Sequence, residues 1–200
     1  GFKQFSPKLQ QYTKNVAQQG RDKVNIEMAT FGAGCFWCID AVLRKLKGVQ
    51  QVESGFSGGQ IKNPAYREVV QGRTGHAEVA QISFDPHVIS YKEILEVFWQ
   101  VHDPTTLNRQ GADVGEHYRS IILTHNSEQE KIAEEMKQQL DASGIFDDPI
   151  VTEIKTFEAF YPAEEVHQDF YTRNEAMPYC SFVIKPKVDK LKRLFADKLK

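Results

Sequence analysis

Apolar residues recur along this chain with two periods, and the switch from one to the other marks out its elements. Alternating or continuous apolar runs predict strands over Ile26 to Phe31, Val49 to Phe56, His76 to Phe84, Tyr118 to His125 and Ile150 to Phe157, each bounded by glycine, proline or polar residues. Phe36, Ile39, Val42, Leu43 and Leu46 recur at helical spacing, so a helix is expected from Cys35 to Leu46, with Gly48 as its stop. Capping-box spacing at Ser90 and Glu93, and again at Ser127 and Glu130, opens two more helices that run to about His102 and Ser143. A helical turn ahead of Gly72, a short helix over Pro162 to Asn174 and a terminal amphipathic helix over Val188 to Leu199 complete the expectation.

From Ile26 to His125 the order is strand, helix, strand, strand, helix, strand, the βαββαβ order of the ferredoxin-like plait. The expected fold is therefore α+β, a mixed sheet covered by helices, with C-terminal additions. Residues 1–25, rich in Gln and Lys and without a clear period, should form a surface arm. Residues 26–187 should form the domain that carries the chemistry, with residues 188–200 as a helix packed on it.

Composition narrows the class of function. Two hundred residues, 40% hydrophobic and 26% charged, suffice for one sizeable core. A formal net charge of -2, with both signs interspersed, offers no footprint for nucleic acid or an anionic membrane. No apolar run approaches the roughly 18–20 residues of a spanning helix. A soluble monomer is expected, in the cytoplasm. Cys35, Cys38 and Cys180 are too few and too odd for a disulfide scaffold, and they read as working thiols.

Cys35 leaves the small-residue turn Gly32-Ala33-Gly34 and begins a helix, where unpaired N–H groups and the helix dipole favour thiolate. Position alone leaves a buried, inert cysteine equally open. Phe36 and Trp37 cannot both turn into the core from a first helical turn, and aromatic faces suit a sulfur-methyl group. Along the strand His76 to Phe84 a period of two puts Glu78 on the side of Ala80, Ile82 and Phe84. Desolvation there would raise its pKa and let it hold a proton as a general acid. A glutamate paired with Arg73 or a lysine is the alternative.

The polar run NRQGADVGEHYRS, Asn108 to Ser120, adds Asp113, Glu116, His117 and Tyr118 as candidates for orienting a substrate, with Tyr66 on an earlier loop. Cys38 and Cys180 each provide a second thiol to condense with an oxidised Cys35. Cys180 follows Pro178 in what should be an irregular, mobile segment, which favours it over Cys38. Zinc held by the three cysteines and a histidine, or thiol–disulfide exchange at Cys35-x-x-Cys38, remain as alternatives.

The string GCFWC, Gly34 to Cys38, resembles the signature of type A methionine sulfoxide reductases. SGFSGG at Ser54, NPAY at Asn63, GHAE at Gly75, HDPTTLNRQGADVGEHYRS from His102 and FYPAEEVHQDF from Phe160 resemble further blocks of that family in its order. The resemblance implies Cys35 as nucleophile and Phe36 and Trp37 as the methyl pocket. It implies contacts of Glu78, Tyr66 and Tyr118 to the sulfoxide oxygen, and a supporting role for Asp113. It also implies reduction of the S epimer of methionine sulfoxide, free or in proteins and peptides, with electrons from thioredoxin, or from dithiothreitol in vitro. No bound metal or organic cofactor is implied. Two departures stand out. Many members carry glycine where this chain has Cys38, and many carry tyrosine where HQDF places Phe170.

Overall fold

A computed structural model describes residues 6–11 and 25–200. Among these residues the architecture is α+β, built on a six-stranded mixed sheet. Its strands are β1 (Glu27–Gly32), β2 (Val49–Ser57), β3 (Ala77–Phe84), β6 (Ile121–Thr124), β7 (Glu153–Thr156) and β8 (Phe160–Pro162), in the order β7-β6-β1-β3-β2-β8. Neighbours are antiparallel except β6 and β7, which are parallel. The short strands β4 (Arg109–Gln110) and β5 (Asp113–Val114) form a separate hairpin within the polar run, a feature its loop-like composition did not reveal.

Every residue of β3 is buried, so its two faces feed two apolar clusters. Ala80, Ile82 and Phe84 pack with Cys35, Phe36, Ile39 and Phe98 on one side. Ala77 and Val79 pack with Ile121, Leu123, Phe157 and Phe160 on the other. Helix α1 (Phe36–Leu43) lies on the first face, ending three residues before the expected Leu46, and α2 (Tyr66–Val70) is the expected turn ahead of Gly72. Helix α3 (Tyr91–Gln100) begins as the sequence proposes: Ser90 accepts from the Glu93 N–H at 3.1 Å, and the Glu93 carboxylate accepts from the Ser90 N–H.

Several boundaries differ from expectation for physical reasons. Helix α4 (Ser127–Ser143) is capped by Asn126, whose side chain accepts from Gln129 N–H at 2.8 Å, so Ser127 is already helical. The strand expected from Tyr118 starts only at Ile121, because the Tyr118 N–H closes a 3₁₀ turn onto Gly115 O. Residues 162–174 are not one helix. They are the end of β8, a 3₁₀ turn at Glu165–His167 and the short α5 (Phe170–Arg173). Gln168 prevents continuity: its carboxamide accepts from Ser54 N and donates to Ser54 O, completing the sheet edge like a strand backbone. Asp169 beside it sits at φ +46°.

Cys180 is not in an irregular segment. It is fully buried and opens a π-helical turn, Cys180–Ile184, that continues into α6 (Lys185–Leu194), so the terminal helix begins and ends earlier than Val188 to Leu199. Val188 and Leu191 of α6 are buried against the first face. Of the expected N-terminal arm, residues 6–11 lie on the sheet: Ser6 N–H donates to Gln81 at 3.0 Å, the Ser6 hydroxyl donates to Glu53, and Leu9 is buried. Residues 1–5 and 12–24 of that arm lie outside the described residues. No helix among the described residues is long and apolar enough to cross a membrane.

Candidate active site

Gly34 makes the site possible. Its φ of +73° swings the chain from β1 into α1, and a Cβ there would meet the Gln110 side chain at 2.9 Å. The turn is fixed from the other side by Gly34 N–H donating to Tyr118 O at 3.1 Å, which ties the start of α1 to the 3₁₀ turn. Cys35 follows as the N-cap of α1.

Glu78 reaches the same point from β3, 42 residues away in sequence: Phe36 N–H donates to Glu78 Oε1 at 3.1 Å, and Glu78 also takes a hydrogen bond from the Cys35 side chain. Its side chain is 1% exposed, and burial, with the Asp113 charge adding to it, pushes its pKa up to about 8 against the hydrogen bonds from Phe36 and Cys35. The alternating pattern thus places Glu78 on the expected face, beside Cys35 rather than paired with Arg73.

The expected thiolate at Cys35 is not the resting state. Burial first, then the charges of Glu78 and Cys38, push its thiol well above the usual range. The hydrogen bond from the Trp37 N–H and the contact with the Tyr179 hydroxyl act in the opposite direction but are too weak to offset this. A helix N-terminus stabilises an anion by about 0.3–1 kcal/mol where exposed, which is small beside full desolvation. The resting site therefore holds two acidic protons, one on sulfur and one on carboxyl.

Aromatic rings enclose them. Phe36 turns inward and packs on Phe56 at 5.7 Å, while Trp37 stays half-buried. Trp37 donates from Nε1 to His167 Nδ1 at 3.3 Å and meets Tyr179 edge-on at 5.8 Å. The Tyr66 ring lies 4.8 Å from His167. The Tyr66 and Tyr118 phenols are held protonated by burial, each with Glu78 as the next cause, so both are donors. Asp113 enters through Tyr179, which donates to its Oδ2 at 2.6 Å and places its hydroxyl oxygen 3.6 Å from Cys38 Sγ.

Cys35, Phe36, Trp37, Tyr66, Glu78, Asp113 and Tyr118 are thus gathered in one region, and Cys38 joins them through Tyr179. Cys180 is buried in the same apolar cluster, and burial first, then the Glu175 charge, push its thiol above the usual range. All three cysteines are free. Among the described residues no three His, Cys, Asp or Glu side chains converge as metal ligands. His167 and Tyr179 escaped the sequence reading. Both sit in or beside quoted motifs, His167 within FYPAEEVHQDF and Tyr179 just before Cys180, but their contacts span 130 and 141 residues.

A buried cysteine facing a protonated carboxyl inside an aromatic cage, on an α+β sheet, defines a class of cysteine-dependent proteins. Comparison narrows it: the family model "Peptide methionine sulfoxide reductase" matches residues 27–199, extending past the motif blocks through α6. The chain belongs to the peptide methionine sulfoxide reductase family. It is similar to the peptide methionine sulfoxide reductase MsrA of Saccharolobus solfataricus, 56% identical over 175 residues, 88% of this chain and 98% of that one. Among solved structures it is similar to Mxr1 from Saccharomyces cerevisiae in reduced form, with TM-score 0.73 and 31% identity over 80% of this chain and 91% of that one. Methionine sulfoxide reductase A of Corynebacterium diphtheriae gives TM-score 0.70 and 32% identity over 81% and 80%. Mxr1 has also been solved in complex with Trx2; that structure matches at TM-score 0.52 and 24% identity over 74% of this chain and 87% of that one, a likeness of fold.

Proposed function

We propose that this chain is a thiol-dependent reductase of the S epimer of methionine sulfoxide, free or in peptides and proteins, with Cys35 as the nucleophile. The observation that carries the reading is the Glu78 carboxyl, 1% exposed, protonated up to about pH 8 and hydrogen-bonded at the start of the cysteine's helix. A sulfoxide bears negative charge on oxygen, and its sulfur accepts electrons only if that oxygen is protonated or strongly hydrogen-bonded.

Glu78 gives its proton to the sulfoxide oxygen while Tyr66 and Tyr118 donate hydrogen bonds to it, and the Cys35 thiol proton replaces the one Glu78 gave. The sulfur–oxygen bond of the substrate breaks, a sulfur–oxygen bond to Cys35 forms, and methionine leaves. Cys35 has been oxidised by two electrons to the sulfenic acid, and the substrate sulfur reduced by two. Phe36 and Trp37 hold the methyl group through sulfur–aromatic and apolar contact. A second thiol then attacks the sulfenic sulfur, forming a disulfide and expelling water, and a thioredoxin dithiol returns both cysteines to thiols.

Cys180 is the resolving thiol in this reading. A π-helical turn is an uncommon, strained arrangement that gathers at functional positions, and unwinding Cys180–Ile184 would bring Cys180 toward Cys35 past Tyr179. Cys38 is the alternative, favoured by its place at the Tyr179 hydroxyl.

Strands β6-β1-β3-β2 with α1 and α3 are read as a ferredoxin-like plait, with residues 26–187 as the catalytic domain and α6 as its C-terminal support. A monomer in the reducing cytoplasm fits three free thiols and the absence of a polyanion-binding charge pattern. Incubation with each sulfoxide epimer and dithiothreitol tests the reading. The S epimer should be reduced and the R epimer left, with Cys35→Ser inactive; equal turnover of S by Cys35→Ser would end the proposal.

A further inference from the structure

Among the buried polar atoms of the site, Glu78 Oε2 and His117 Nε2 have no hydrogen-bond partner among the described residues. They face each other at 3.9 Å, on side chains that are 1% and 5% exposed. Two unpaired polar atoms at such depth are each destabilising, and both would be relieved by one shared proton.

The backbone around His117 is shaped to hold it there. Gly115 lies at φ +150°, and a Cβ on it would fall 2.6 Å from His117 Cε1, so the ring occupies the space a side chain would need. The Tyr118 ring closes over the other side, its centroid 3.8 Å away. Tyr118 is also the residue whose carbonyl anchors Gly34. The imidazole is thus fixed to the same frame as Cys35.

The proton of the carboxyl can be assigned to one oxygen. Glu78 Oε1 accepts from Phe36 N–H and so behaves as the carbonyl oxygen, leaving Oε2 as the hydroxyl. The groups facing Glu78 are Cys35 and Cys38 from α1, Tyr66 from α2, Asp113 from β5, and Tyr118 and His117 from the 3₁₀ turn. The Cys35 thiol and the two phenols are donors in the resting state, and Asp113 Oδ2 is already taken by Tyr179. His117, kept neutral by burial against the pull of Asp113, offers an acceptor lone pair at Oε2.

We propose that His117 is a positioning residue whose Nε2 accepts the hydrogen bond of the Glu78 Oε2–H, holding the carboxyl protonated and its proton on the oxygen that delivers it. A side-chain rotation that shortens the separation by about 1 Å makes the bond. When the sulfoxide oxygen enters, the hydroxyl turns from imidazole to substrate. The inference rests on the reductase reading for its second half only, since the proposed carboxyl–imidazole bond requires no substrate.

Infrared spectroscopy of the resting protein tests the first half. The carbonyl stretch of protonated Glu78, identified by its loss in Glu78→Gln, should move to higher wavenumber in His117→Leu and return toward its original position in His117→Gln, whose amide oxygen can accept. In single-turnover reduction of methionine sulfoxide, His117→Leu should lose about tenfold in rate and shift its alkaline limb toward acid by about half a pH unit or more, with His117→Gln recovering both. A carbonyl band and limb in His117→Leu identical to those of the unaltered protein overturn the inference. So does an equal loss of rate in both variants with no movement of band or limb, which marks a purely structural histidine. If the band moves as expected while the unaltered protein reduces no sulfoxide, the carboxyl–imidazole pair stands and the reductase reading falls.

Discussion

The indole of Trp37 and the ring of Phe170 stack face to face, with centroids 3.7 Å apart and planes 6° from parallel. Two residues 133 positions apart therefore fix each other, and α5 supplies the floor on which the Trp37 wall of the proposed methyl pocket rests. Aromatic pairs more often sit offset or edge-on, so this close overlap reflects packing imposed by the surroundings rather than a preference of the two rings.

Removing that floor should separate pocket from chemistry. Phe170→Ala is expected to lower stability by about 3 kcal/mol as a large-to-small change at a buried ring. It should raise KM for methionine sulfoxide several-fold, with a smaller fall in kcat, whereas Phe170→Tyr should leave both near their starting values. Denaturant unfolding and steady-state kinetics on the two variants check this. An unaltered KM in the alanine variant would detach Trp37 from substrate binding.

As the proposed proton donor, Glu78 should set the pH range of the reduction step. With its pKa up at about 8, the acid form prevails at neutral pH and is lost as pH rises through that value, so the single-turnover rate should fall on the alkaline side near pH 8. Glu78→Gln should slow the step by about 10²-fold or more and remove that limb. Rapid-quench measurement of methionine formed per enzyme across pH 6–10 reads both effects.

The same carboxyl links stability to pH. Its folded pKa lies above the ordinary value of 4.5, so the unfolded chain releases the proton first as pH rises. Stability associated with Glu78 is complete below about pH 4.5 and is lost progressively up to about pH 8. Glu53, pushed up to about 7 mainly by burial, acts in the same direction over a narrower window. Melting curves should therefore show Glu78→Gln gaining Tm relative to the unaltered protein between pH 5 and pH 9. A constant difference across that range would mean Glu78 does not titrate late.

Oxidation with one equivalent of sulfoxide and no reductant should leave a Cys35–Cys180 disulfide, readable by peptide mass spectrometry. Cys180→Ser should then trap a sulfenic acid at Cys35, while Cys38→Ser should behave like the unaltered protein. A Cys35–Cys38 bridge in the unaltered protein would transfer the resolving role to α1 and leave the π-helical turn as a structural element only.

Local pattern and chemistry made part of this site legible. A glycine turn followed by helical spacing located Cys35, and a strict period of two located Glu78, because both signals act within a few residues. The ionisation of Cys35 was misjudged because a helix terminus is visible in sequence, whereas the depth of burial that outweighs it comes from tertiary packing. The helix expected over residues 162–174 failed for a related reason: Gln168 answers to Ser54, 114 residues away, and such partners carry no local signature. His167 and Tyr179 were invisible as site residues on the same ground, while Cys180 looked mobile only because Pro178 hides the helical turn that follows it.

Ser6, Leu9 and Lys8 lie outside the stretch that matches the family, yet they cover Glu53 and Gln81 and tie down Glu165, two residues from the imidazole that braces Trp37. A chain trimmed to residue 26 would expose a carboxyl and a carboxamide in the middle of the sheet to water. The cost of such trimming would fall first on the sheet beneath Ser6 and Leu9, where Glu53 and Gln81 would lose their partners.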